Sequence, residues 1–202
     1  MTPFDEKLAW IESNFVELQN SDDVFLDLKY ASTDNFMKQN VYGGFSRCFL
    51  APKAAAMFTQ ARDTLRKRHP DLQFRIWDAL RPRRVQSIFY EHLRGTPFQS
   101  YVAAPLPGSL HNFGMALDLT LQKKSGKPLD MGTDFDDFRE LAQPRLEEEL
   151  QKSGALSPEQ VQNRWLLRGI LQDAGFKVLP HEWWHFNALP AEQVHGLYPS
   201  LD

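Results

Sequence analysis

The chain has 202 residues, of which 42% are hydrophobic and 24% charged, and a formal net charge of −3. That balance argues against a nucleic-acid or anionic-membrane partner and predicts one soluble domain, residues 1–202, large enough for a sizeable core. Cys48 is the only cysteine, which rules out an intrachain disulfide and a cysteine zinc cluster.

Thr2-Pro3 followed by Asp5 reads as a helix start, and Phe4, Leu8, Ile11, Phe15 and Leu18 recur at helical spacing. Val24, Leu26, Leu28 and Tyr30 alternate with Asp23, Phe25, Asp27 and Lys29, as in a half-buried strand. Pro52 opens a helix whose inner stripe is Ala54, Met57, Phe58, Ala61 and Leu65. A strand follows through Leu72, Phe74 and Ile76, ending near Asp78. A short helix begins near Pro82, with Val85, Ile88, Phe89 and Leu93 inward and Gly95 as its stop.

Three prolines and two glycines make 95–109 an irregular loop, and a strand is expected near 115–121. An acidic loop then leads to a charged helix at about 137–152. Ser157-Pro158-Glu159-Gln160 is a capping-box signature. It opens a helix with Val161, Trp165, Leu166 and Ile170 inward and Gly175 at its end. Two last strands, 176–178 and 183–187, are broken at Pro180. Helices and short strands interleave without regular βαβ alternation, which predicts an α+β fold with a small, mostly antiparallel sheet flanked by helices. Acids in the first turns, and no apolar run of signal-peptide or membrane-span length, predict a cytoplasmic location.

Two segments carry metal chemistry. Ser109-Leu110-His111-Asn112-Phe113-Gly114-Met115-Ala116-Leu117-Asp118 and Glu182-Trp183-Trp184-His185-Phe186 supply two imidazoles and two carboxylates. His111, Asp118 and His185 would make a three-ligand site of the hydrolase type, with Glu182 free as general base. On a flat strand positions 182 and 185 face opposite ways, so Glu182 must precede the strand or sit across a bulge. A rival pattern overlaps the second segment: His181-Glu182-Trp183-Trp184-His185 satisfies H-E-x-x-H, which needs a helix. Pro180 before it and the aromatic run within it favour a strand, and the extended motif's glycine and third histidine are replaced by Ala188 and Ala191. Arg81 can project from a strand end towards the metal; from the bare sequence, a surface arginine at a helix start explains it better.

These residues resemble a known family. S-x-H-x-x-G-x-A-x-D and E-W-W-H are similar to the motifs of the zinc D-alanyl-D-alanine dipeptidases (VanX-type), which are related to D,D-carboxypeptidases. Further similar segments lie in order along the chain: Lys29-Tyr30-Ala31 with Asp34-Asn35-Phe36, Asp78-Ala79-Leu80-Arg81-Pro82, Asp118-Leu119-Thr120-Leu121, Met131-Gly132-Thr133-Asp134-Phe135-Asp136, and Asn163-Arg164 with Leu166-Leu167-Arg168. The resemblance implies the zinc D,D-peptidase (hedgehog/DD-peptidase-like) fold and one Zn²⁺ per chain on His111, Asp118 and His185. It further implies Glu182 as catalytic acid/base, Arg81 at the developing oxyanion, and Ser109 and Asp136 beside a small D,D-dipeptide, with Asp136 towards its ammonium. Departures fall at Leu80, at Asn112-Phe113 and at Met115 and Leu117, which bear on pocket shape and remove no ligand. The alternatives are a D,D-carboxypeptidase or endopeptidase on peptidoglycan stem peptides, and a zinc-binding module without catalysis. Glu182 and Arg81 speak against the last.

Overall fold

The structure is a computed structural model that describes residues 3–201. Thr2, expected to cap the first helix, lies outside them, as do the side chains of Phe4 and Asp5. Helix α1 (Pro3–Asn14) ends before Phe15, whose buried ring belongs to the core together with the side chain of Ile11. Strands β1 (Val16–Leu18) and β3 (Cys48–Leu50) pair antiparallel as a separate two-stranded sheet. Neither was expected, because three residues are too few for a period-two pattern to emerge. β2 (Val24–Leu26) is shorter than the alternation suggested: the backbone turns into a 3₁₀ turn at Lys29–Ala31, which buries Tyr30.

Helix α2 (Pro52–Arg68) has proline in its first turn and buries Ala54, Met57, Phe58, Ala61 and Leu65, the expected stripe. Helix α3 (Arg83–Leu93) buries Val85, Phe89 and Leu93, while Ile88 is on the outer face and Gln86 replaces it inside. The charged helix expected over 137–152 is a correction: Pro144 interrupts it. Two 3₁₀ turns occupy 140–146, and only α4 (Glu147–Lys152) is α-helical. Helix α5 (Pro158–Asp173) carries the expected capping box on Ser157 and Gln160. Its inner stripe is Val161, Arg164, Leu167, Ile170 and Leu171; Trp165 lies 52% exposed, so the expected phase was off by about half a turn. Gly175 adopts φ +97° just beyond the helix, where a side chain would be strained.

The main sheet has the order β2-β4-β5-β7-β6, with β4 (Leu72–Asp78), β5 (Ala116–Lys123), β6 (Lys177–Leu179) and β7 (Glu182–Asn187). Only β2–β4 is parallel. Helix α2 packs against β4, α5 against β6 and β7, and the two helices against each other. Along β5 the leucines 117, 119 and 121 alternate with Ala116, Asp118, Thr120 and Gln122, and all seven are buried. One face is thus apolar and the other carries buried polar groups, so the second face must be built around partners for them.

Two breaks in register prepare that face. Ile76 pairs with Leu119 but Asp78 with Asp118, so two residues of β4 oppose one of β5. The extra residue turns Asp78 away from the side of Ile76 and onto the side of Asp118. Between β6 and β7 the pairing jumps from Val178–Phe186 to Leu179–Glu182. Among the described residues, no helix is long and apolar enough to cross a membrane.

Candidate metal centre

Asp78, Asp118 and His185 form one row across β4, β5 and β7, since Asp118 pairs with both of the others. His111 arrives from the 3₁₀ turn Leu110–Phe113, which Ser109 and Asn112 cap reciprocally. Gly114 closes that turn at φ +62°, and a Cβ there would stand 2.7 Å from the Ala51 amide nitrogen, so the G of S-x-H-x-x-G is a steric requirement. Met115 and Ala116 then lead directly into β5. The seven-residue spacing of His111 and Asp118 is therefore one tight turn plus the entry to a strand.

The His111, Asp118 and His185 donor atoms converge. His111 Nε2 lies 3.1 Å from His185 Nδ1 and 3.3 Å from Asp118 Oδ2, and His185 Nδ1 lies 2.9 Å from Asp118 Oδ1. The far ring nitrogens are engaged elsewhere: His111 Nδ1 at 2.7 Å from the Ala79 carbonyl oxygen, His185 Nε2 at 2.8 Å from Asn187 Oδ1. Both partners accept, so each far nitrogen carries the proton and each inner nitrogen presents a lone pair in the neutral ring. Two lone pairs and a carboxylate within about 3 Å of one another repel unless a cation sits among them. A tetrahedral shell with bonds of about 2.0–2.1 Å spaces its donors roughly 3.3 Å apart, which fits this set. All three residues are buried, and together they form a group that could hold a metal ion. Burial alone would raise the Asp118 carboxyl, but positive charge on the two imidazoles, which a protonated ring carries and a neutral one does not, holds it well below the usual carboxylate range.

Glu182 lies beside this group rather than in it. Its Oε2 is 3.8 Å from His185 Nδ1, and the register jump in β7 is what lets positions 182 and 185 face the same cavity. Burial pushes its carboxyl up to about 7, with His185 pulling the other way. The strand geometry of 182–187 excludes the helical H-E-x-x-H reading, and His181 is exposed.

Arg81 is buried, not a surface arginine. Its Nε and Nη2 meet Asp78 Oδ2 at 2.8 and 2.7 Å, Nη1 donates to Gln86 Oε1 at 2.9 Å, and Nη2 reaches Asp118 Oδ2 at 3.4 Å. Its guanidinium also lies over the rings of Tyr30 and Phe89, at 5.2 and 5.1 Å. Burial opposes the charge, but Asp78 and its neighbours hold the group protonated. Asp78 in turn accepts from the Tyr42 hydroxyl and from the Ala79 amide.

Ser109 and Asp136 both line the cleft, of about 410 Å³, that opens onto His111, Asp118, Glu182 and His185. Asp136 has φ +61° and accepts from the Tyr30 hydroxyl at 2.8 Å and the Phe36 amide at 3.4 Å. Burial pushes its carboxyl up to about 7. The loop that presents it is fixed from α5: Asn163 donates to the Asp130 carbonyl, and Arg164 to those of Met131 and Leu141. These bonds tie Asp130 and the Met131–Asp136 segment to Asn163 and Arg164 across the fold.

Sequence reasoning missed Asp78, Gln86, Asn112 and Asn187 as parts of the site. Asp78 carried the one available signal, an aspartate three residues before Arg81. Asn112, fully buried, donates to the Arg81 carbonyl at 2.8 Å and so ties the turn bearing His111 to the strand end bearing Arg81.

A family model described as D-ala-D-ala dipeptidase matches residues 12–200. A D-alanyl-D-alanine dipeptidase of Escherichia coli (strain K12) is 33% identical over 179 residues, covering 89% of this chain and 84% of that protein. One from Synechocystis is 29% identical, covering 72% of this chain and 71% of its own. One from Enterococcus faecium is also 29% identical, covering 79% and 83%.

Proposed function

The chain belongs to the D-Ala-D-Ala dipeptidase family of metallopeptidases, and from that premise we propose that it is a zinc-dependent enzyme that hydrolyses D-Ala-D-Ala or a close D,D-dipeptide. The observation that carries the reading is the meeting of three buried acceptor groups, His111, Asp118 and His185, with an uncoordinated carboxylate, Glu182, at their edge. One Zn²⁺ per chain held by those three would lower the pKa of a water and polarise the peptide carbonyl.

The remaining work falls to side chains. Glu182 takes the proton of the attacking water and returns it to the leaving amine as the C–N bond breaks. Arg81, kept charged by Asp78, faces the oxygen on which negative charge grows. Asp136 takes the dipeptide's ammonium, and Ser109 offers its hydroxyl at the cleft wall. A substrate with so few atoms is selected by its charged ends, so a small enclosed cleft suits a dipeptide better than a polymer. The cytoplasmic location expected from the sequence belongs to this proposal.

A panel assay with zinc tests it, using D-Ala-D-Ala, D-Ala-D-Ser, L-Ala-L-Ala and a stem peptide ending in D-Ala-D-Ala. Cleavage of the free D,D-dipeptides above all others is expected. Cleavage of the stem peptide alone would make the protein a carboxypeptidase, and no cleavage would leave a binding module.

A pH dependence follows from Asp136. Its carboxyl is pushed up to about 7, so it is ionised and able to hold an ammonium only above that pH. The substrate's α-ammonium itself loses its proton near about 8. KM for D-Ala-D-Ala is therefore expected to pass through a minimum between these values and to rise by up to about tenfold per unit below them. In Asp136→Asn the acidic limb should flatten. A KM that is constant in the unaltered protein from pH 6 to 8 would remove Asp136 from ammonium recognition.

A further inference from the structure

One carboxamide joins Arg81 to a wall of the cleft. Gln86, in the first turns of α3, is 1% exposed; its Oε1 accepts from Arg81 Nη1 at 2.9 Å, and its Nε2 donates to the Ala103 carbonyl at 2.8 Å. A guanidinium only donates and a carbonyl only accepts, so chemistry fixes which way the amide points. Ala103 belongs to the Tyr101–Ala104 stretch, which lines the cleft. The same segment is held at two other places. Buried Gln143 donates to the Tyr101 hydroxyl at 2.8 Å, and Arg83, three residues before Gln86, donates to the carbonyls of Pro105 and Pro107, both at 3.0 Å.

Asp78 already neutralises Arg81, but through a single oxygen at one edge of the guanidinium. Asp118 lies 3.4 Å from Nη2 on that same side and the Tyr30 and Phe89 rings cover the plane, so Nη1 is the corner these contacts leave unheld. Gln86 holds that corner and so completes the set of contacts that fixes the in-plane orientation of the guanidinium. A leucine would fill the same volume without the cost of burying an amide, so packing alone does not account for a glutamine here.

We propose that Gln86 is a positioning residue that locks Arg81 and the Tyr101–Ala104 wall into one unit, so that alignment of the cation and enclosure of a short substrate are set together. This rests on the reading of Arg81 as the group facing the reacting carbonyl.

Two variants separate the two contacts. Gln86→Leu removes both. Gln86→Glu keeps an acceptor for Arg81 but sets a carboxylate oxygen against the Ala103 carbonyl. In Gln86→Leu, kcat for D-Ala-D-Ala is expected to fall about 10–100-fold with a smaller change in KM, as for a misplaced catalytic group. Discrimination against a tripeptide ending in D-Ala-D-Ala should narrow, and zinc content should stay unchanged. Gln86→Glu should recover most of kcat but not the discrimination. Amide hydrogen exchange over residues 101–104 should quicken in both variants.

Wild-type kcat and wild-type exchange in Gln86→Leu would overturn the proposal, as would equal losses of kcat in the two variants. Should Gln86→Leu fail to fold, unchanged exchange in Gln86→Glu overturns it. If the unaltered protein cleaves neither peptide, the dipeptidase reading fails by itself, and the exchange comparison still decides whether Gln86 latches the wall.

Discussion

Glu182→Gln is expected to lower kcat for D-Ala-D-Ala by about 10²–10⁴-fold while zinc stays bound at one per chain. The substitution keeps size and shape, so the packing around β7 is preserved and the change is confined to the ability to take and return a proton. The carboxylate is well placed for that role. It is largely buried, it stands 3.8 Å from a nitrogen of the ligand group, and burial pushes its carboxyl up to about 7, close to working pH. A proton acceptor matched to the pH of the reaction transfers in both directions with little penalty. The expected loss corresponds to about 3–5 kcal/mol of transition-state stabilisation. Steady-state kinetics with metal analysis on the same sample provide the check. Turnover within tenfold of the unaltered protein would assign the base elsewhere, and loss of zinc would make Glu182 a ligand. Glu182→Ala should behave alike in chemistry, with an added effect from the space it leaves.

Much of the scaffold could be read from local rules. Ser157-Pro158-Glu159-Gln160 announces α5 because a capping box satisfies helix-end amides whatever surrounds it. The stripe of α2 is legible because Ala54, Met57, Phe58, Ala61 and Leu65 recur at the helical period. Failures occurred where distant partners decide. Trp165 is outward and Arg164 inward in α5, against simple hydrophobicity, because Arg164 serves the carbonyls of Met131 and Leu141 in a loop more than twenty residues away. The three-residue strands β1 and β3 exist only through each other.

The site divides in the same way. Its donor residues stand out because histidine and carboxylate types cluster in two short motifs. The demand for a bulge near Glu182 followed from side-chain alternation alone, and the pairing of β6 with β7 contains such a break. Gln86 and Asn187 left no comparable trace. A buried amide that orients a neighbour has the same letter as one on the surface, and only the fold reveals which it is.

Removing the metal should cost both activity and stability. Treatment with a chelator is expected to abolish hydrolysis and lower Tm, and added zinc should restore both. Without a cation, His111 Nε2, His185 Nδ1 and the Asp118 carboxylate face one another at 2.9–3.3 Å in a buried space, an arrangement that the folded state must hold against repulsion. An ion bound only by the folded state stabilises it by about 4 kcal/mol when present at a thousand times its Kd. For a chain of this size that is a Tm difference of roughly 10 °C. His111→Ala should show the same lowered Tm without chelator, little zinc after dialysis, and no further response to chelation, because two ligands remain where three are needed. Asn187→Ala is expected to fall between: it frees His185 Nε2 but spares every ligand, so zinc should bind about 10–100-fold more weakly rather than be lost. That ordering distinguishes a metal centre from a merely polar core. In a polar core, His111→Ala would relieve repulsion and raise Tm, and the chelator would change nothing.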